Sequence, residues 1–367
     1  MKKLKVAILF GGKSGEHEVS LQSARSIYET LNKHKYDVIL VGIDKEGVWR
    51  LESPANYLIN AADPGRVKLN KSAPAITAIQ GRRGAQLVNI SSSKTLATID
   101  VFFPITHGTF GEDGCLQGFL ELLGAAYVGA GVLGSAVGMD KDIMKRLLRD
   151  ARIPIAKFVS FNKGKITREH LRAAVVLLKF PIFVKPANLG SSVGISKAKT
   201  FPEIVRAVAL AFRYDTKILL EEFVPGREIE CSVLGNDNPI ASLPGEVSPT
   251  HEFYSYEAKY IDEKGATLSI PAKMPRRVIS AVRALAIKTF EALECSGLAR
   301  VDFFLTPRGK IVVNEINTLP GFTKISMYPK LWEASGIPFL ELLDRLIKLA
   351  IARKRQVSCL KRDYAPR

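Results

Sequence analysis

The feature that most constrains this chain is a pair of apolar segments, Ala299 to Leu305 and Lys310 to Ile316, joined by the tight turn Thr306-Pro307-Arg308-Gly309. Polar residues interrupt them at intervals of two: Arg300-Val301-Asp302 in the first, Glu315-Ile316-Asn317 at the end of the second. Side chains alternate along a strand, so Arg300 shares a face with Asp302, and Glu315 with Asn317. If the two segments pair as a hairpin, four polar groups converge on one face beside Phe303, Val312 and Val313. Two carboxylates placed together next to apolar surface are costly unless cations compensate. Mg2+ with oxygen ligands and bound phosphate is the natural compensation. An exposed sheet face with surface salt bridges is the alternative. The turn that follows, Thr318-Leu319-Pro320-Gly321, offers backbone N–H groups directly after the carboxylates.

Upstream, Val184-Lys185-Pro186 leads into Gly190-Ser191-Ser192-Val193-Gly194. A Gly/Ser loop lets backbone approach phosphate oxygens, and a lysine leaving a buried strand supplies a point charge. No GxxxxGK[ST] occurs, so this is not a Walker loop, and by itself an ordinary turn explains it equally well. Glu221-Glu222-Phe223-Val224 and Glu228 follow at strand ends, where an adenine amino group and ribose hydroxyls would find acceptors; plain solvent exposure is the alternative. A third polar loop, Gly11 to Ser20, joins a strand to a helix, where ligands commonly bind in α/β sheets. It lacks GxGxxG, so a nicotinamide cofactor is not expected, and it lacks HExxH despite His17-Glu18. Glu16 is suited to hold a substrate ammonium by a charge-assisted hydrogen bond.

The chain around these loops reads as α/β followed by α+β. Val6 to Phe10, a helix from Val19 to Leu31 and Val38 to Ile43 form a βαβ unit, and a third strand, Val101 to Pro104, with a helix from about Cys115 to Leu123, completes a parallel-sheet domain. Residues 53 to 98 read as a variable insertion with one short strand near Gln86 to Ile90, away from function. Asp140 to Arg152 is expected as a helix ended before Pro154, followed by helices at about 168 to 178 and Phe201 to Phe212. Strands are expected at Ile182 to Pro186, Ile218 to Phe223 and Ile229 to Leu234, a long helix from Arg276 to Leu293, and a last helix from Phe339 to about Ala352. The resulting division is 1–139, 140–240 and 241–367.

Composition narrows the partners. Lys and Arg number 53 against 36 Asp and Glu, a formal charge of +17, which favours anionic ligands. The basic residues are spread along the chain, and the densest cluster, Arg353-Lys354-Arg355 with Lys361-Arg362, reads as a solvated tail, so nucleic acid is not expected. Cys115, Cys231, Cys295 and Cys359 form no CxxC pair, which argues against a zinc site and a disulfide scaffold. The apolar stretch behind Met1-Lys2-Lys3 is too short for a signal peptide, and no run approaches the length of a membrane-spanning helix. A cytoplasmic protein without membrane contact is the expectation.

Taken together the motifs resemble the ATP-grasp superfamily and, within it, the D-alanine–D-alanine ligase family. The resemblance spans nearly the whole chain: GGKSGEHEVS at 11 to 20, HGTFGEDGCLQG at 107 to 118, GMDK at 138 to 141 and VKPANLGSSVG at 184 to 194. It continues through EEFVPGREIE at 221 to 230, YSYEAKY at 254 to 260, ARVDFF at 299 to 304 and NEINTLPGFTKISMYP at 314 to 329. Leu189, before Gly190, departs from the polar residue often found there.

The resemblance implies an ATP-grasp fold behind an N-terminal parallel-sheet domain, with ATP as cosubstrate and two Mg2+ ions, for which Mn2+ is a substitute. It implies that Lys141 and Lys185 hold ATP phosphates, that Glu221, Phe223 and Val224 hold the adenine and Glu228 the ribose, and that Lys259 reaches the γ-phosphate. Asp302, Glu315 and Asn317 would bind the metal ions; Arg300 and the Gly321 N–H would stabilise the developing oxyanion. Glu16 would anchor the ammonium of the first D-alanine, with His107 nearby and Ser326 on the carboxylate of the second. Glu16, Ser191 and Tyr260 would form a hydrogen-bonded set tying the loop near 250 to 265 across the site. Relatives that make D-alanyl-D-lactate usually lack this tyrosine, so an amine nucleophile is implied. A homodimer through the N-terminal domain is implied as well.

Overall fold

A computed structural model describes residues 2–61, 63, 66–82, 84–249 and 266–361. Lys259, Tyr260 and Arg362 lie outside the described residues, as does nearly all of the expected closing loop.

The N-terminal sheet starts as the βαβ pattern requires. Leu4–Gly11 pairs in parallel with Tyr36–Ile43 across the helix His17–Thr30, and with Val101–Pro104 on its other side. Val6, Ala7, Ile8, Leu9 and Phe10 are all fully buried, as a continuous apolar strand between two covered faces must be. Gly11 ends the strand at φ +90, and a Cβ there would stand 2.2 Å from the Ile43 carbonyl oxygen, so only glycine lets the chain turn toward the helix.

The insertion is more structured than its composition suggests. In place of one strand, residues 53 to 98 contain Leu58–Ile59, Lys68–Leu69, Ala75–Gly81, Gly84–Asn89 and Thr95–Thr98. The last three, with Trp49–Glu52, extend the parallel trio to a sheet of seven strands by antiparallel pairing. Alternation that was masked by Ser, Pro and Gly explains the difference: Ile76, Ala78, Ala85 and Leu87 all enter one core with Phe102 and Leu120.

Two further sheets face each other across the cleft. The first is antiparallel, in the order Phe158–Asn162, Lys217–Glu222, Ile182–Pro186, Ser196–Ala198. Helices Arg168–Leu178 and Phe201–Ala211 cover one side of it through Leu171, Ile204 and Val208, which pack with Ile182, Val184 and Leu220. The second sheet runs Ala266–Ser269, Gly245–Pro249, Arg227–Gly235, Gly297–Leu305, Ile311–Asn317. Helix Arg276–Ala292 packs beneath it, with Val282, Ala286 and Phe290 against Val301, Phe303 and Val313. The expected hairpin is therefore present, with the apolar face of its strands down and the polar face up. Arg300 stands opposite Asn317 and Asp302 opposite Glu315, after which the register slips so that Phe303 meets Val313 and Asn314 is the extra residue of a bulge.

Helix Lys141–Asp150 connects the layers, its N-terminus capped by Asp140, whose Oδ1 accepts from the N–H groups of Asp142 and Ile143 at 3.1 Å each. The last helix, Phe339–Ser358, is longer than expected and returns to the first sheet, where Leu342, Leu343, Leu346 and Ile347 join the core of Val6, Ile8 and Phe10. This corrects the reading of the basic cluster as a solvated tail at Arg353, while Arg355 and Lys361 are exposed as expected. The Arg353 guanidinium lies 4.4 Å from the centre of the Tyr127 ring, donates to Tyr127 O at 3.0 Å and Ser296 Oγ at 2.6 Å, and also donates to Gly129 O. Cys231 and Cys295 are buried, Cys115 and Cys359 exposed, and all four are free thiols. Among the described residues no helix is long and apolar enough to cross a membrane.

Candidate active site

Two adjoining cavities occupy the cleft. One, of about 180 Å³, is walled by Lys141, Lys185, Glu221, Phe223, Val224 and Glu228, which are all the described residues assigned to nucleotide from sequence. The other, of about 550 Å³, is walled by Glu16, His107, Ser191, Arg300, Asp302, Glu315, Asn317, Gly321 and Ser326. Glu228, Gly190, Ser191, Phe304, Asn314 and Glu315 border both. The structure thus gathers every described candidate; Lys259 and Tyr260 lie outside the described residues.

In the smaller cavity, Glu221 is no solvated carboxylate: its side chain is 2% exposed. Lys145 Nζ lies 3.3 Å from its Oε1 and Lys185 Nζ 3.3 Å from its Oε2. Burial works to raise this carboxyl, but the two ammonium groups outweigh it and hold it below the ordinary glutamate value. Phe223 stands half-exposed at the rim, its ring 6.1 Å from that of Phe183 and with Lys197 Nζ 4.9 Å from its centre. A flat ring slot with a buried acceptor at its end suits a purine carrying an exocyclic amine. At the other end Lys141 donates to Leu189 O at 2.7 Å and lies 3.3 Å from Glu315 Oε2. Leu189 therefore serves through its backbone, which is why a nonpolar side chain is tolerated there.

The face of the hairpin carries the shared wall. Arg300 Nε and one terminal nitrogen donate to the two oxygens of Asp302 at 2.7 Å each, and Nε is 2.9 Å from Glu230 Oε2. Asn317 Nδ2 donates to Asp302 Oδ2 at 3.0 Å, which turns its amide oxygen to the other side. Asp302 and Glu315 face each other across one register position, so two carboxylates and one amide oxygen form a hard donor set open to a cavity with lysines beyond it. That set fits Mg2+, which takes one or two carboxylates and fills its octahedron with water and phosphate. Among the described residues no group of three or more His, Cys, Asp or Glu side chains is placed to hold a metal ion.

In the larger cavity, Glu16 is buried, 9% exposed, and Ser191 Oγ donates to its Oε1. Ser191 and Ser192 are held at φ 51 and 61, the left-handed region, so the Gly190–Gly194 loop is strained toward Glu16. Close packing needs glycine on both sides: a Cβ at Gly108 or Gly190 would stand 2.9 or 3.2 Å from Glu16 Oε2. His107 is buried; its Nδ1 lies 3.0 Å from Leu319 O and so carries the proton, while Nε2 lies 3.3 Å from Ser23 Oγ. Burial lowers its pKa, leaving a neutral imidazole that ties the N-terminal loop to the Leu319 turn. Glu112 accepts from Gly108 N–H at 2.7 Å, and burial first, then the neighbouring Glu16, push its carboxyl up to about 8. Ser326 Oγ accepts from Thr323 N–H at 2.9 Å at the start of helix Met327–Ala334, and a Cβ on Gly321 would stand 2.8 Å from that oxygen.

Sequence reasoning named no role for Lys145, Glu112 or Glu230. Spacing held the signal for two of them: Lys145 is one helical turn from Lys141, and Glu230 is two strand positions from Glu228. Glu112 stood unassigned inside a quoted motif, because nothing local reports its burial beside Glu16.

Known proteins resemble this chain over nearly its whole length. Residues 5–130 match the family model described as D-ala D-ala ligase N-terminus, and residues 147–348 that described as D-ala D-ala ligase C-terminus. A D-alanine–D-alanine ligase of Oceanobacillus iheyensis is 53% identical over 361 residues, 98% of either chain. D-alanine–D-alanine ligase A of Escherichia coli is 50% identical over 363 residues, 98% of this chain and 99% of that one. The solved D-alanine–D-alanine ligase from Coxiella burnetii superposes with a TM-score of 0.84 at 41% identity, covering 98% of this chain and 97% of that one. The VanG D-Ala:D-Ser ligase from Enterococcus faecalis gives 0.84 at 36% identity over 95% of this chain and 100% of that one. The fold class read from sequence, ATP-grasp behind an N-terminal sheet containing parallel strands, holds.

Proposed function

Since the chain belongs to the D-alanine–D-alanine ligase family, we propose that its cleft joins two D-alanines at the expense of ATP, as a step in making peptidoglycan precursors. The observation that carries this reading is the shared wall: a purine-sized slot and an amino-acid cavity meet at Glu228, Asn314 and Glu315, where phosphate and carboxylate would be brought together.

In the first step a carboxylate oxygen of the first D-alanine attacks the γ-phosphorus, the β–γ P–O bond breaks, and an acyl phosphate and ADP form. Lys141 and Lys185 neutralise the phosphates, Phe223, Val224 and Glu221 hold the adenine, and Glu228 the ribose. Glu16 holds the ammonium of the substrate, kept in place by Ser191, with neutral His107 fixing the loop behind it. In the second step the amine of the second D-alanine, oriented through its carboxylate by Ser326, attacks the acyl carbon and loses a proton as phosphate leaves. Arg300 and the Gly321 N–H stabilise the tetrahedral oxyanion. Asp302, Glu315 and Asn317 would hold Mg2+, which when bound would shield the charge of the β- and γ-phosphates. Lys259 and Tyr260 keep the roles implied by resemblance, on the γ-phosphate and with Glu16 and Ser191.

ATP and free D-alanine as substrates fit a cytoplasmic enzyme. The proposed homodimer through the N-terminal domain is supported by the exposed Phe119, Leu122, Val132 and Leu133 on helices Cys115–Leu122 and Val132–Met139, and sedimentation equilibrium tests it. The test of the reaction is phosphate release from Mg-ATP with D-alanine, L-alanine, D-serine or D-lactate, with products identified by mass. Release with D-alanine and appearance of the dipeptide is expected. Release only when D-serine or D-lactate joins D-alanine would move the second substrate, and no release with any would overturn the reading.

A further inference from the structure

Lys145 is the most deeply buried cation among the described residues. Its side chain is 1% exposed, and burial pushes its ammonium below the ordinary lysine value. An ammonium in such a place is costly unless it is matched, and it is matched on two sides: Glu221 Oε1 at 3.3 Å and the Asn314 carbonyl oxygen at 3.4 Å. Asn314 is the bulge residue, and its amide oxygen meets Lys185 Nζ at 3.5 Å. One carboxylate and one asparagine thus separate two lysines that would otherwise repel. Lys145 lines neither cavity, whereas Glu221 and Lys185 line the smaller one. Glu221 Oε2 accepts no hydrogen bond of good geometry among the described residues.

We propose that Lys145 is a positioning residue for nucleotide selection: by holding Glu221 Oε1 it keeps Oε2 aimed at the base and keeps Lys185 available for phosphate. Without it, Lys185, already 3.3 Å from Oε2, is left among the described residues as the cation paired with a buried carboxylate and is held there more tightly, so that one ion pair removes both the base acceptor and the phosphate ligand. This inference rests on the reading of the smaller cavity as a nucleotide pocket.

The experiment compares full-length Lys145→Met, Glu221→Gln and the double variant with the parent enzyme. It measures kcat, KM for ATP, KM for D-alanine and the ATP-over-GTP ratio in kcat/KM, since guanine offers a carbonyl where adenine offers an amine. The expected result for Lys145→Met is a rise of about tenfold in KM for ATP and a fall of similar size in the ATP-over-GTP ratio, the order of one charged hydrogen bond. KM for D-alanine stays within about twofold of the parent, since that end keeps its contacts. The double variant, which removes both members of the buried pair, matches Glu221→Gln, because Lys145 acts only through that carboxylate. If Lys145→Met fails to fold, the double variant against Glu221→Gln decides: equal nucleotide parameters support the proposal, a further loss overturns it. If Glu221→Gln shifts the ATP parameters while Lys145→Met changes only the melting temperature, the positioning role is wrong and the pocket stands. If neither shifts them, the pocket reading fails and the inference with it.

Discussion

The two ends of the cleft solve opposite electrostatic problems. In the smaller cavity, which we propose takes the nucleotide, Glu221 lies between Lys145 and Lys185, with Lys141 on Glu315, so cations crowd around carboxylates. In the larger cavity, which we propose takes the amino acids, Glu16 and Glu112 lie together, and burial, then Glu16, push the Glu112 carboxyl up to about 8. A triphosphate needs prepared positive charge; an ammonium needs prepared negative charge. Arg300, bound to Asp302 and Glu230, lines the larger cavity on the strand paired with that of Glu315, which borders both cavities, and in the proposed reaction negative charge would develop near it in both steps.

Substitutions should break this contrast in graded ways. The largest effect is expected at Arg300 itself: Arg300→Met lowers kcat by about 10²–10³-fold, as loss of an oxyanion donor does elsewhere. Steady-state kinetics check it, and a change confined to KM would deny Arg300 its part in the transition state. Next, Glu16→Gln raises KM for D-alanine by about 10–100-fold while KM for ATP stays put, the order of one charge-assisted contact. A matching rise for ATP would mean that the two ends are not separable. Phe223→Ala should do the converse, raising KM for ATP by about tenfold through lost ring contact and leaving D-alanine unaffected.

A separate contrast lies in pH. Glu112 has its folded value, about 8, above its ordinary 4.5, so the folded chain binds a proton that the unfolded chain has released. Stability therefore falls as pH rises across that interval and has lost the whole contribution above it. Glu52, which burial lifts to about 7, adds a slope of the same sign that ends earlier. Urea midpoints from pH 5 to 9 should decline in the parent, and Glu112→Gln should flatten the upper part; an unchanged upper slope would place the titration elsewhere.

Much of the site could be read because its chemistry is local. Arg300, Asp302, Glu315 and Asn317 announce themselves by a period of two, and the hairpin preserves it despite the bulge. Lys141 and Lys185 follow a cap and a buried strand, signals carried by immediate neighbours. The insertion was less legible, since Ile76, Ala78, Ala85 and Leu87 alternate over strands too short to stand out among turn residues. Lys145 was overlooked for a different reason: a lysine on an amphipathic helix is normally solvated, and only the Asn314 bulge and Glu221 make burial tolerable.

By itself, the sequence determined the strand and helix periods, the glycine at Gly11, the polar face of the hairpin and the family, because each rests on neighbours within a few residues or on motifs kept in order. Tertiary structure alone decided that the last helix returns to the first sheet, that Arg353 leaves solvent for Tyr127, and that Glu112 lies against Glu16. Those outcomes depend on which distant groups meet in a medium of low dielectric. Burial sets the charge state of Glu112 and the partners of Lys145, and burial is a property of the packed chain rather than of any segment of it.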